Sequence, residues 1–258
     1  MIGNVIGWLN DPAHWHGFGA TAGITSQLKF HIFLVGAALI MAVVIAVPLG
    51  LLIGHTGKGK SFISIANAIR SIPSIGLLIL LVVIIAPHFY GRTQTGYIIP
   101  TEIVLVLLAI PPILAGTYAG VENVDPAVRD AAYGMGMKGH QVLFRVELPN
   151  CLPLVFSGVR SAALQLIATA TIASFVTLGG LGRFIYDGLA QRDFPQMISG
   201  GLLVAALALF VDLVLSIIQR FTVSRGVSRR FSKRADTAPG SSQVDARVGA
   251  LDEVEVPA

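Results

Sequence analysis

Five long apolar runs divide the sequence: residues 28–54, 62–86, 100–121, 152–176 and 197–219. A helix needs about 20 apolar residues to cross the hydrocarbon of a bilayer. Each run reaches that length, which predicts an all-α polytopic membrane protein with about five transmembrane helices. The second run has two parts. Its start, FISIANAIRSIPSIG, is amphipathic and is expected near the cytoplasmic surface, and the Ile72-Pro73-Ser74 break then turns the chain into the apolar stretch from Leu77 to Ala86. Pro48 and Gly50 predict a kink or a frayed exit from the first run. Pro111 and Pro112 fall in the middle of the third run, where proline removes ladder donors and a bend is expected. That bend either lines a pathway or is a packing kink. The pairs Gly50/Gly54 and Gly116/Gly120 have the GxxxG spacing that lets helix backbones approach closely.

Residues 1–27 mix Trp8, Trp15 and Phe18 with glycine and polar residues, the composition of an interfacial segment. If that segment also spans, the helix count becomes six. His14 and His16 flank Trp15 without further ligands nearby in sequence and read as a surface pair. Residues 28–220 form the transmembrane domain. Beyond it, Arg220, Arg225, Arg229, Arg230, Lys233 and Arg234 form a basic stop segment suited to anionic membrane lipid. The rest of residues 221–258, rich in Pro, Ser and acidic side chains, reads as a disordered cytoplasmic tail.

Composition supports the membrane reading. Only 12% of the 258 residues are charged and 54% are hydrophobic, against about 25% charged in an average soluble domain. The net charge of +4 could point to nucleic acid, but the basic residues flank the spans, so no nucleic-acid partner is expected. With the N-terminus outside, 14 of the 18 Lys and Arg fall on cytoplasmic segments, as the positive-inside rule requires. The first 28 residues carry no Lys or Arg, and no cleavable signal is expected. Cys151 is the sole cysteine, which excludes an intramolecular disulfide and leaves a small packing residue.

Few polar groups interrupt the spans. Ser161, Gln165 and Thr169 share one helix face, which either lines a wet path or holds helices together by hydrogen bonds. Asp212 lies well inside the last run, and an ionisable group there is expected to face the bundle interior with a partner. A structural or gating ion pair ranks ahead of substrate binding. Glu102 lies near the outer end of its span, and Arg70 is expected to snorkel to phosphates. Residues 54–61, GHTGKGKS, match the phosphate-loop pattern GxxxxGKS letter for letter. A phosphate loop needs a buried strand before it. This stretch follows a membrane span, so it reads as a basic turn and no cofactor is expected on this chain.

Residues 125–150 are the exception to this apolar plan. Asp125-Pro126 is a helix start, with Asp as cap and Pro in the first turn. About two turns follow to Tyr133. Ala131 and Ala132 leave the backbone open to a docking surface, and Gly134 and Gly136 permit a sharp turn. A second short helix is expected over residues 139–147, before Pro149 and the fourth span.

The order Asp130, Ala131, Ala132, Tyr133, Gly134, Gly136, Val146, Leu148, Pro149 resembles the cytoplasmic EAA loop of permease subunits of bacterial ATP-binding-cassette importers. That pattern is Glu-Ala-Ala, three residues, Gly, nine residues, Ile, one residue, Leu-Pro. Asp130 stands for Glu and Val146 for Ile, with no gap. The Arg-Ser-Ile-Pro-Ser stretch at residues 70–74 and the Gly-Gly-Leu-Gly run at residues 179–182 resemble features of osmoprotectant permeases, the latter shared with methionine permeases. The resemblance implies a bacterial plasma-membrane permease with no catalytic residues of its own. It implies a second permease subunit, identical or not, a pair of ATPase subunits that use ATP and Mg, and an extracytoplasmic solute-binding protein. It makes Asp130, Ala131, Ala132, Tyr133, Gly134, Gly136, Val146, Leu148 and Pro149 the ATPase-coupling loop, with Arg70 an alternative contact. It leaves Pro111, Pro112, Gln165, Thr169 and Asp212 as pathway or gating candidates. Glycine betaine, choline or carnitine is the implied cargo. Methionine or another small amine is the alternative, and an ion-coupled secondary transporter using Asp212 and Glu102 is the reading from another class.

Overall fold

The computed structural model describes residues 2–16, 23–89, 94–176 and 179–223, and these are helical with no strand among them. The basic tail beyond Val223, with Arg225, Arg229, Arg230, Lys233 and Arg234, lies outside the described residues, as do Phe18 and Arg92.

A short helix α1 (Ile2–Asn10) precedes the first span. Its nine residues rise about 14 Å, less than half the hydrocarbon thickness of about 30 Å. Among the described residues, α1 is therefore too short to be a sixth span. His14 stacks on Trp8 with ring centroids 4.2 Å apart, and Trp8 meets Phe184 edge-on at 5.6 Å. These contacts fold the N-terminal segment onto the body of the protein.

Helix α2 (Ile24–Thr56) starts four residues earlier than its apolar run and passes Pro48 without interruption. The frayed exit expected at Pro48 and Gly50 is absent because Gly50 and Gly54 seat the helix end against its neighbour. A Cβ on Gly50 would lie 2.7 Å from Cβ of Thr117, and one on Gly54 would lie 2.6 Å from Cβ of Val121. The helix stops at Gly57, which adopts φ 67° and donates its N–H to the Ile53 carbonyl. Helices α3 (Lys60–Ile69) and α4 (Ser74–Ile85) follow, with an 85° bend at the expected break between them.

Helix α5 (Thr95–Glu122) is the centre of the bundle. It runs unbroken through Pro100, Pro111 and Pro112. The prolines expected to bend this span do not end the helix. Both prolines are buried between helices that hold α5 from two sides, and neighbouring helices can hold a span together where ladder bonds are missing. After an elbow of helices α6 (Pro126–Gly134) and α7 (Gly139–Val142), a π turn over Leu143–Glu147 leads directly into α8 (Leu148–Ala173). The second short helix and the fourth span are thus one continuous element. Pro149 marks no break. The widened turn lets the Leu148 N–H reach the Leu143 carbonyl one residue before the proline. Helices α9 (Gly182–Gln191) and α10 (Phe194–Thr222) close the chain.

The core lies where α2, α5 and α8 meet. Ala38, Ala42 and Ala46 form a fully buried small-residue stripe on α2, facing Leu105, Ala109 and Ile113 of α5 and Ala162, Leu166 and Ala170 of α8. Van der Waals fit between small residues is what joins helices in lipid. In their most apolar stretches, α5 is 56% buried and α10 only 6%. Five crossings result if the bent α3–α4 pair counts as one.

Candidate functional site

One end of the bundle gathers the ends of α2, α5 and α8 with the elbow. Asp125 starts α6 as expected, its Oδ1 accepting the Ala127 N–H at 3.0 Å. At the other end of α6, Met137 donates to the Ala132 carbonyl at 3.2 Å and Gly136 to the Tyr133 carbonyl at 2.9 Å. With Gly136 at φ 82°, this is a Schellman cap. The turn is therefore Gly136 alone. Gly134 is the last residue of α6 and needs no left-handed backbone, a correction to the expected two-glycine turn.

The motif residues divide into two groups. Asp130, Ala131 and Gly134 are exposed on α6, Tyr133 is 47% exposed, and Met135 beyond them is 75% exposed. Ala132 is turned inward and buried. An acidic, apolar and partly aromatic patch on a short rigid helix can dock into a groove of another protein. Val146, Leu148 and Pro149 lie instead at the joint into α8. There Leu148 packs on a cluster of Leu51, Val121, Leu143, Cys151 and Val155.

Three residues that sequence reasoning passed over hold this joint. Glu147 is buried on the π turn. Its Oε2 accepts from Nδ1 of His55 at 2.7 Å, and its Oε1 lies 2.9 Å from Nε of Arg129, off the axis of a linear hydrogen bond. Arg129 also donates through Nη2 to the Val121 carbonyl. A Cβ on Gly139 would lie 3.4 Å from Nε2 of His55, so the elbow backbone roofs that imidazole. His55 falls inside the phosphate-loop match. In the structure that match is a turn between two helices: Gly57 and Gly59 have positive φ, and Lys60 pairs with Glu122 at 3.0 Å.

The other candidates are dispersed. Pro111 and Pro112 are buried at the α5–α8 contact, where a Cβ on Gly158 would meet the Pro112 carbonyl oxygen at 2.6 Å. Gln165 and Thr169 are half-buried beside the packed stripe of α8. Asp212 takes both oxygens to Arg160, whose Nε and Nη2 donate at 2.7 Å each. The expected partner is thereby found, and Arg160 is a paired charge within a helix rather than a flanking one. At the opposite end, the glycine run is pinned to α2. The Gly180 N–H donates to Oε1 of Gln27 at 2.6 Å, and the Leu181 N–H to Nδ1 of His31 at 3.3 Å. His31 is buried where it holds this turn.

Residues 46–225 match the family described as binding-protein-dependent transport system inner membrane component. The glycine betaine/carnitine/choline transport system permease protein OpuCB of Bacillus subtilis is 29% identical over 76% of this chain and 87% of its own. The carnitine transport permease protein OpuCB of Listeria monocytogenes is 33% identical over 72% and 81%, respectively. The osmoprotectant import permease protein OsmW of Salmonella typhimurium is 31% identical over 80% and 95%. A chain of the inward-facing MetNI methionine ABC transporter superposes with a TM-score of 0.67 at 20% identity, over 78% of this chain and 96% of that one, which shows a shared fold. The family match takes in the bundle from the middle of α2 onward, elbow included, and the chain belongs to the inner-membrane components of binding-protein-dependent transport systems.

Proposed function

We propose that the chain is the permease subunit of an ATP-driven importer for a small osmoprotectant such as glycine betaine, choline or carnitine. The elbow carries this reading. It is a short exposed helix, capped at both ends, that sits on the ends of the three packed spans. The chemistry of the chain supports a mechanical role, since motion at such a place can bias the packing of the whole bundle. Asp130, Ala131, Tyr133, Gly134 and Gly136 with Met135 form the surface offered to an ATPase pair that binds ATP and Mg. Val146, Leu148 and Pro149 set the joint. Closure of the pair on ATP moves the elbow and shifts the bundle between inward-open and outward-open packings, with the energy set by differential stability of the two. A second permease subunit completes the path, and an external solute-binding protein delivers the cargo. Pro111, Pro112, Gln165 and Thr169 are the pathway candidates, and the Arg160–Asp212 pair a gate or brace. The solute class rests on the relatives named above.

The test is uptake of labelled glycine betaine, choline and carnitine after osmotic upshift, in cells lacking this chain and in cells carrying it. Loss of uptake on deletion and its return with the chain are expected. Competition by methionine alone would replace the solute class. Uptake driven by an ion gradient in vesicles without ATPase would overturn the importer reading and favour a secondary transporter.

A further inference from the structure

Glu147 has no place yet in the transport cycle. Its side chain is 2% exposed, although it sits at the cytoplasm-facing joint of the elbow reading. Burying a carboxylate is costly unless its partners are well placed, and an apolar residue of similar size would fill the joint without that cost. What an apolar residue would lack is direction. Glu147 reaches His55 at the end of α2 and Arg129 on α6, and Arg129 reaches the Val121 carbonyl at the end of α5. Glu147 itself stands at the start of α8. One carboxylate therefore joins the elbow to all three core spans.

Apolar packing gives the elbow helix little hold of its own. Ala132 is the one residue of α6 that is buried, and a single methyl buries too little area to carry force. The ionic tie is the stiff link. We propose that Glu147, with His55 and Arg129, is the transmission node of the importer: a set of positioning residues that turns displacement of α6 into joint displacement of α2, α5 and α8. The proposal rests on the elbow being the ATPase-docking site. Its distinctive consequence is that weakening the node uncouples ATP hydrolysis from movement of solute and leaves the exposed docking residues Asp130, Ala131 and Gly134 in place.

The experiment uses the complete complex in proteoliposomes, with ATPase and solute-binding protein. It counts labelled solute moved per ATP hydrolysed, with whichever of glycine betaine, choline and carnitine the wild type moves. Glu147→Gln keeps the shape and removes the charge. Arg129→Ala removes one partner. For both, solute moved per ATP is expected to fall about tenfold, within the usual range of coupling between distant sites, while the ATPase still co-purifies. Arg129→Lys is expected to recover part of the loss. Hydrolysis and uptake that decline together at a constant ratio would reduce the cluster to a folding element and overturn the proposal. Should Glu147→Gln not accumulate, His55→Asn decides by the same ratio. Failure of the wild-type chain to co-purify with the ATPase would be a different result, and would remove the docking reading itself.

Discussion

Gly158 measures how closely the central helices approach. A Cβ there would lie 2.6 Å from the Pro112 carbonyl oxygen, a backbone atom that cannot swing aside. Gly158→Ala must therefore push α8 off α5, and overpacking of this kind costs about 1–3 kcal/mol. The apparent melting temperature of the detergent-purified subunit is expected to fall by about 2–4 °C for each kcal/mol. Gly201→Ala is the control: no atom lies within 4 Å of its added Cβ, and α10 continues through it. Its melting temperature should hold or rise. At this scale the sequence is partly legible. Asp212 inside a span announces that a partner exists, because an unpaired charge in lipid is costly. Nothing local names Arg160, 52 positions away. Glu147 is harder still. A charge at the end of the expected short helix reads as an exposed cytoplasmic residue, and its burial depends on His55, 92 positions away.

Among elements, the elbow separates what sequence shows from what only packing decides. Asp125, Pro126 and Gly136 act on neighbouring backbone groups, and each does what its chemistry predicts. Gly134 does not. Its expected role in the turn gives way to a helix that ends one residue later, and ahead of Pro149 a π turn joins the second short helix to the fourth span. The two glycines should therefore answer differently to substitution. Gly136→Ala places a side chain at φ 82°, and a left-handed backbone costs an L-residue about 1–2 kcal/mol. Gly134→Ala adds a methyl to a helix with open space around it, and that exchange is expected to stabilise by about 0.5–1 kcal/mol. The melting temperature of the purified subunit should fall for Gly136→Ala and hold or rise for Gly134→Ala, with equal membrane insertion. Equal melting of the two would show that this turn has no need of a left-handed glycine.

For the whole molecule, the proposed coupling depends on which end of the bundle faces the cytoplasm. The 28 residues of α5 extend about 42 Å, so its two ends lie on opposite sides of a bilayer. His88 sits by the first end, where the Ala86–His88 turn packs against α5, and Asn123 follows the last residue at the other. Both are exposed, and Cys151 is 0% exposed and so gives little background. A membrane-impermeant maleimide should label His88→Cys in intact cells and Asn123→Cys only after permeabilisation. The ion pairs make this one measurement stand for the rest, since His55 with Glu147 and Lys60 with Glu122 fix the ends of α2 and α8 and the start of α3 to the Asn123 side. The opposite labelling pattern would place the elbow outside, where there is no ATP to move it. It would also require the basic turn at Lys58 and Lys60 to have crossed the membrane, against the bias that orients such segments.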